Sequence, residues 1–520
     1  MNILIKRFGG LFKGVISGFD RIVFKGMFRP LVYPEGAEGF FRRKGVLNKN
    51  YKAWVTEQSE GLVGALNQQG LERCGTPIVA LRSWREDKEA IARKRQREKR
   101  IESGLIGMWS CLETGNSFRA SYRPGAGRPS LAPYRVACKH VYLYFDHEDY
   151  GFMNIRLQTW FPFHIQICLN GREWMRRSLQ KEGADFAMNG NKLLYAADFE
   201  LVQRTLDLQL DTRWQKTLDG FLAIAFPTMR LTLNDGLSCY WTLWQSELAT
   251  DFISDSPERL NAIAGQLLRH AFMTGTSERV LRYFNRPLNA KGLPYAGDSQ
   301  ICSRTLKFSE GLRVRHWIGN NSVKTYTEQN NLRVETTINQ PGRFKVWRHA
   351  QGEKKTAPKQ FRSLRKGVAD VALRAKVSQE VNDRLILNLA NMDDETPLRD
   401  ILSPITVAGK QNGRRVRALD PTGKDVEPLR ALSDAAFDIN GVTNKQLREK
   451  LAVTSWGAGR SDKQLSAKVS RLLRLLRDHG IIRKNPIRRS YHLTQRGRQI
   501  IIAVCAMLSA STKKLMEIAA

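Results

Sequence analysis

Four carboxylates stand where phosphoryl chemistry would want them. Asp20 lies in GFDRIVF, Asp146 ends the apolar run VYLYFD, and Glu247 and Asp251 lie in YWTLWQSELATDF. Carboxylates at strand ends and on a helix can hold Mg2+, and a metal pair stabilises the attacking and leaving oxygens of an in-line displacement. Glu247 and Asp251 are four residues apart, so on a helix they share a face. They are the expected metal ligands, and Asp146 and Asp20 complete the expected catalytic set. The competing reading is that each carboxylate pairs with a neighbouring Arg or Lys, because metal binding needs a convergence that spacing alone does not show. A second set is FHIQIC, in which His164 and Gln166 flank Ile165, with Lys324 and Tyr326 of NSVKTYTEQ as partner and nucleophile. A half-buried strand accounts for His164 more simply. The chain has no GxxxxGK[ST], HExxH or GxSxG, so no nucleotide cofactor is expected.

These residues need elements to hold them. Alternation predicts strands at about 139–145, 152–160 and 163–169, and again within 311–349, as LRVRHWI, SVKTYTEQ, NLRVETTIN and RFKVWRH. The spacing of 197–290 reads mainly as helix, as does 367–391. SYRPGAGRPSLAP, 121–133, reads as a loop and a candidate boundary. The expected fold class is α+β: a mixed antiparallel-sheet and helical body, followed by a C-terminal winged helix-turn-helix domain. The expected segments are a mixed basic region at 1–125, an α+β core at 126–350, a helix and basic linker at 351–425, and the C-terminal domain at 426–510.

Composition narrows the partners. The 520 residues carry 84 Lys+Arg against 50 Asp+Glu, a net charge of +34. So positive a surface attracts polyanions, and nucleic acid is the commonest large one. Apolar residues make up 42 %, enough for a sizeable core and too many for a disordered chain. The seven cysteines are scattered without a CxxC, which points to a reducing compartment rather than a disulfide framework or zinc ribbon. MNILIKRFGGLFKGVISGF is broken by Lys6, Arg7 and Lys13 and lacks a signal peptide's apolar core. The expected setting is the bacterial cytoplasm, nucleoid-associated, with no membrane partner and with oligomerisation left open.

Cations also interleave with aromatics on the expected strands. The aromatics are expected to face the core, and Arg313, Arg315, Lys324, Arg333, Lys345 and Arg348 to face phosphate. Residues 85–100, REDKEAIARKRQREKR, read as a charged helix that either forms i,i+4 pairs such as Glu89–Arg93 or follows a phosphate backbone.

The C-terminal region has the clearest pattern. Thr443 can cap NKQLREKLA. Ser461 can cap SDKQLSAKVSRLLRLLRDHG, which ends at Gly480. In the latter, Leu465, Val469, Leu472 and Leu476 make one apolar stripe, and Gln464, Lys468, Arg471 and Arg474 fall opposite. IIRKNPIRRSYHL then reads as two short strands with a basic tip. Between 461 and 500 there are eleven Lys/Arg against two acidic residues, a surplus suited to duplex DNA with a steep salt dependence.

The phrase LLRLLRDHGIIRK…YHLTQRGR resembles the helix, wing and closing helix of the MarR-like winged-helix family, over about 80 of the 520 residues. The resemblance implies that Lys468, Arg471 and Arg474 enter a major groove. It also implies that the wing, with Lys484, Arg488 and Arg489, meets phosphate or a minor groove. VKTYTEQNNLRVETTIN is faintly similar to a segment of phage and plasmid replication proteins. The body phrases FDRIVFKGMFRPL, RLQTWFPFHIQICLNGREW, QSELATDF and LRVETTIN resemble uncharacterised mobile-element proteins of bacteria, transposase- or replication-protein-like, with no assigned chemistry to carry over. Three readings stand. One is a DNA-binding protein of a mobile element with Mg2+-dependent strand cleavage or transfer. The second is a non-catalytic winged-helix regulator. The third is an RNA-binding subunit of a ribonucleoprotein.

Overall fold

A computed structural model describes residues 2–122, 127, 129–233, 236–287, 301–308, 311–350, 356, 358–390, 398–411, 414–434, 437, 441–485 and 490–509. The fold is α+β, and it divides into two compact units. The first holds Met1–Phe272, Arg304–Arg315 and Asn320–Leu387; the second holds Met273–Ser303, His316–Gly319 and Asn388–Ala520.

The strands of the body are β1 (Phe12–Met27), β2 (Val79–Ala80), β3 (Gly104–Ser121), β4 (Ser130–His147), β5 (Gly151–Gln158), β6 (Ile165–Asn170), β7 (Phe186–Asn189), β8 (Lys192–Ala196), β9 (Tyr240–Ser254), β10 (Ile301–Phe308), β11 (Gly311–Ile318), β12 (Asn321–Glu328) and β13 (Asn331–Ile338). In the first unit the sheet order runs β12-β13-β9-β1-β6-β5-β4-β3-β2, and the segment 304–315 carries it on past β12. Every pairing from β12 to β3 is antiparallel, and only β2 meets β3 in parallel. Period-two burial makes these strands. IQICLN of β6 alternates buried and half-exposed along its length, with the apolar side toward the core.

Three expectations are corrected here. The stretch 121–133 is not a boundary: Ser121 of β3 opposes Ser130 of β4, and the two strands are paired neighbours in one sheet. Likewise the 1–125 segment is no separate region, since β1 lies in the middle of the sheet. Region 197–290 does hold helices at Phe199–Leu208, Trp214–Ala225 and Pro257–Met273, but β9 lies between them. Glu247 and Asp251 are therefore on a strand.

The main core is aromatic. Phe161 is fully buried, and its ring centroid lies 5.1 Å from Phe41, 5.9 Å from Tyr51 and from Phe163, and 6.1 Å from Phe118. Such contacts add to the burial of each ring. Phe161→Ala should cost about 3–5 kcal/mol, read as a shift of the urea midpoint with the slope unchanged.

The second unit packs its own core. Helices Leu398–Thr406, Val426–Ala431, Asn444–Ala452, Asp462–Asp478 and Gln495–Ser509 accompany a hairpin of Ile482–Lys484 with Tyr491–Leu493. Thr443 with Gln446 and Ser461 with Gln464 each form a capping box, so both helix starts lie where the sequence puts them. Leu465, Val469, Leu472 and Leu476 are buried together with Leu447, Leu451 and Ile500. Gly480, at φ +70°, ends the Asp462–Asp478 helix and turns the chain toward the hairpin. Among the described residues no helix is long and apolar enough to cross a membrane.

Candidate nucleic-acid interface

The structure brings two of the four expected carboxylates together. On β1, Phe19 opposes Leu248 and Arg21 opposes Glu247, so Asp20 sits in a bulge between them. On β9, Asp251 opposes Ile16 of β1 and Arg333 of β13. Arg333 forks between the two acids. Its Nε donates to Asp251 Oδ1 at 2.5 Å, its Nη2 to Asp251 Oδ2 at 2.9 Å, and its Nη1 to Asp20 Oδ2 at 2.8 Å. Arg172 adds a second guanidinium 2.9 Å from Asp251 Oδ2. Asn191 Nδ2 donates to Asp20 Oδ1 at 2.6 Å.

Charge balance decides how this cluster behaves. Burial alone would push the Asp251 carboxyl up, and the guanidiniums of Arg333 and Arg172 overcome that and hold it below the ordinary carboxylate range. Arg333 is 2 % exposed and fully engaged, which corrects its expected role as a phosphate ligand. Lys324 is likewise taken, by Glu335 at 2.6 Å. Arg315 donates to Ser322 Oγ at 3.0 and 2.9 Å. Arg313 stacks 4.3 Å over Tyr326, and Arg348 donates to the carbonyl of Ser363. Only Lys345 of that set lies on the surface, with Ser363 Oγ as its acceptor. Arg333 and Lys324 thus compensate buried acids, and Arg348 satisfies a backbone carbonyl.

The other carboxylates lie elsewhere. Asp146 is on β4, three strands from β1 and so roughly 14 Å away at ordinary strand spacing. It is held by Arg177 and by Gln96 Nε2 at 2.6 Å. Glu247 accepts from Gln245 at 2.9 Å. Asp146 therefore cannot share an ion with Asp20, which corrects the expected four-carboxylate set. A Mg2+ at Asp20 and Asp251 would have to displace the Arg333 guanidinium. Among the described residues no group of three or more His, Cys, Asp or Glu converges on one point.

The His164/Tyr326 pairing is corrected in the same way. β6 and β12 are four strands apart, roughly 19 Å. Tyr326 is buried, its hydroxyl 3.4 Å from Glu335, and burial pushes that hydroxyl's pKa far up. Phe161, Phe163 and Tyr326 face the core as the alternation predicts, while Trp347 is exposed.

Comparison with family models, with curated proteins and with solved structures returns no match. The chemistry of the second unit therefore stands on its own residues. On the Asp462–Asp478 helix, Arg471 and Arg474 are exposed opposite the apolar stripe, and neither has a hydrogen bond or ion pair among the described residues. Lys468 differs from expectation. Its ammonium lies 3.7 Å over the Trp456 ring and donates to the Trp456 carbonyl at 2.7 Å. It supports the ridge instead of projecting from it.

Arg415, Arg417 and Lys424 join Arg471 and Arg474 around a cleft of about 550 Å³, with Asp425 and Asp478 as its acids. Asp425 is already committed to a bidentate pair with Arg417 at 2.7 and 2.8 Å. Arg415, Arg417 and Lys424 belong to the stretch read from sequence as a linker. The only sign of their role was the density of cations in GRRVRALDPTGKD. In the hairpin, Arg483 and Lys484 are exposed. Arg488 and Arg489 lie outside the described residues.

Proposed function

We propose that this chain is a DNA-binding protein whose C-terminal unit is a winged helix of the MarR-like kind. The Asp462–Asp478 helix lies in the major groove, and the hairpin carrying Lys484 meets the adjacent backbone. The observation that carries this reading is the exposed, unpaired Arg471 and Arg474 on the helix face opposite the core stripe. Arginines without an acidic partner on a helix packed from one side are what a phosphate or a guanine edge engages. The body phrases that resemble mobile-element proteins supply the biological setting: a bacterial, cytoplasmic protein acting on an element's DNA.

The test is anisotropy titration of a labelled duplex, with structured RNA as competitor. Arg471→Ala/Arg474→Ala should weaken duplex binding roughly 30-fold or more, at about 1–3 kcal/mol for each lost base-edge or phosphate contact. Unchanged duplex affinity would sink the reading, and tighter binding to RNA would replace DNA with RNA.

A second reading, Mg2+-dependent strand cutting, has one observation in its favour: Asp20 and Asp251 do converge, although on Arg333. Strand cleavage that appears with Mg2+, vanishes with EDTA and is lost in Asp20→Asn would establish it.

A further inference from the structure

Beyond its bulge at Asp20, β1 turns Ile22 and Phe24 into the aromatic core and sends Arg21 and Lys25 to the opposite face. The neighbouring strands do the same. Lys25 opposes Gln166 of β6, and Gln166 opposes Arg156 of β5. Lys25, Gln166 and Arg156 are half-exposed, whereas the alternating residues Ile165, Ile155 and Leu157 are buried. At Lys25, Gln166 and Arg156 the face opposite the aromatic core is open to solvent.

Trp244 projects at this open face and is 42 % exposed. The Lys25 ammonium lies 3.5 Å from its ring centroid and the Lys366 ammonium 4.8 Å. Cations outnumber their partners here. Arg156 is matched by Glu113 at 2.5 Å, but neither Lys25 nor Lys366 has a carboxylate partner among the described residues. Burial and the nearby charges of Arg156 and Lys366 press the Lys25 ammonium down to about 8. A polyanion would relieve that crowding.

We propose that this open sheet face binds a single-stranded nucleic acid, with Trp244 as the stacking platform and Lys25 and Lys366 as the phosphate ligands. A closed duplex buries its base faces, so an exposed indole gains nothing from one. An unpaired strand offers both a π-face for the ring and phosphates for the flanking ammonium groups. Both lysines now lie on the indole ring; a base stacking there displaces one of them toward the backbone of the same strand. The site goes beyond duplex binding by the C-terminal unit, which does not depend on it.

The full chain would be titrated with a short fluorescein-labelled oligothymidylate, and in parallel with a duplex. Trp244→Ala and Lys366→Glu should each weaken oligothymidylate binding by about tenfold or more. Trp244→Phe, which keeps a stacking ring, should retain most of it. Arg471→Ala/Arg474→Ala should leave it unchanged while duplex binding falls, so the two sites fail separately. Trp244 and Lys366 are both exposed, and unchanged thermal unfolding of the variants would exclude a folding defect. Wild-type affinity in Trp244→Ala and Lys366→Glu would overturn the proposal. So would absence of oligothymidylate binding by the wild-type chain. Displacement of the oligomer by poly-glutamate as readily as by unlabelled oligothymidylate would also overturn it, since the face would then be an acidic-peptide surface.

Discussion

Replacing Arg333 with Met should cost this protein about 3–5 kcal/mol, the usual penalty for leaving a buried charge without its partner. The size follows from the geometry. One guanidinium satisfies Asp251 twice and Asp20 once, and Asp251 is fully buried. Arg172 would remain beside Asp251, but its Nη2 is shared with the Ala249 carbonyl and it does not hydrogen-bond Asp20 among the described residues. Domains are typically stable by only about 5–15 kcal/mol, so the loss is a large fraction of the total. Arg333→Lys should not rescue it, because an ammonium cannot span both carboxylates.

The pH dependence has a definite sign. Asp251 is held below its ordinary range in the folded state. Its pair therefore contributes fully above the unfolded value of about 3.9, and that contribution is lost as pH falls through the folded value. The gap between wild type and Arg333→Met should narrow below about pH 4. Urea unfolding at pH 7, 5 and 3 measures it, and a gap that stayed constant or widened in acid would refute the assignment.

Salt should dominate duplex binding. Each phosphate neutralised contributes about −0.9 to the slope of log affinity against log salt. Arg471, Arg474, Arg483 and Lys484 are exposed on the helix and hairpin, and Arg415 and Lys424 line the adjoining cleft. If these six reach phosphate, the slope is about −5, and affinity falls roughly 10³-fold between 50 and 200 mM salt. Arg471→Ala/Arg474→Ala should reduce the slope by about 2 units. A slope near zero would mean that the helix and hairpin meet protein instead of DNA.

The sequence was most legible where local rules decide the structure. The strands near 139–169 and within 311–349 follow from alternation between turn residues. Thr443, Ser461 and Gly480 mark helix ends by side-chain and backbone chemistry that needs no distant partner. β9 was illegible because YWTLWQSELATDF carries apolar residues at helical spacing as well as in a run. What makes it a strand is pairing with β1 and β13, which no local window contains. Among the candidate residues, the cations were misread for a related reason. Arg333 and Lys324 look like surface cations in an alternating strand, yet each faces a buried acid: Lys324 meets Glu335 on the next strand, and Arg333 meets Asp20, more than three hundred residues earlier in the chain. Trp244 and Lys25 draw attention only once the strands are laid side by side.

The placing of β1 also sets a timetable for synthesis. Phe12 pairs with Ser254 and Met27 with Tyr240, so β1 takes one flank from a strand made more than two hundred residues after it. At ordinary ribosomal rates of about 5–20 residues per second, that partner follows roughly 10–50 s later. Through that interval an apolar strand waits with a row of unpaired amides and carbonyls, the template on which chains join edge to edge. In the cell, the yield of this protein is then set by how well the nascent strand is sheltered on the ribosome, as much as by the stability of the finished sheet.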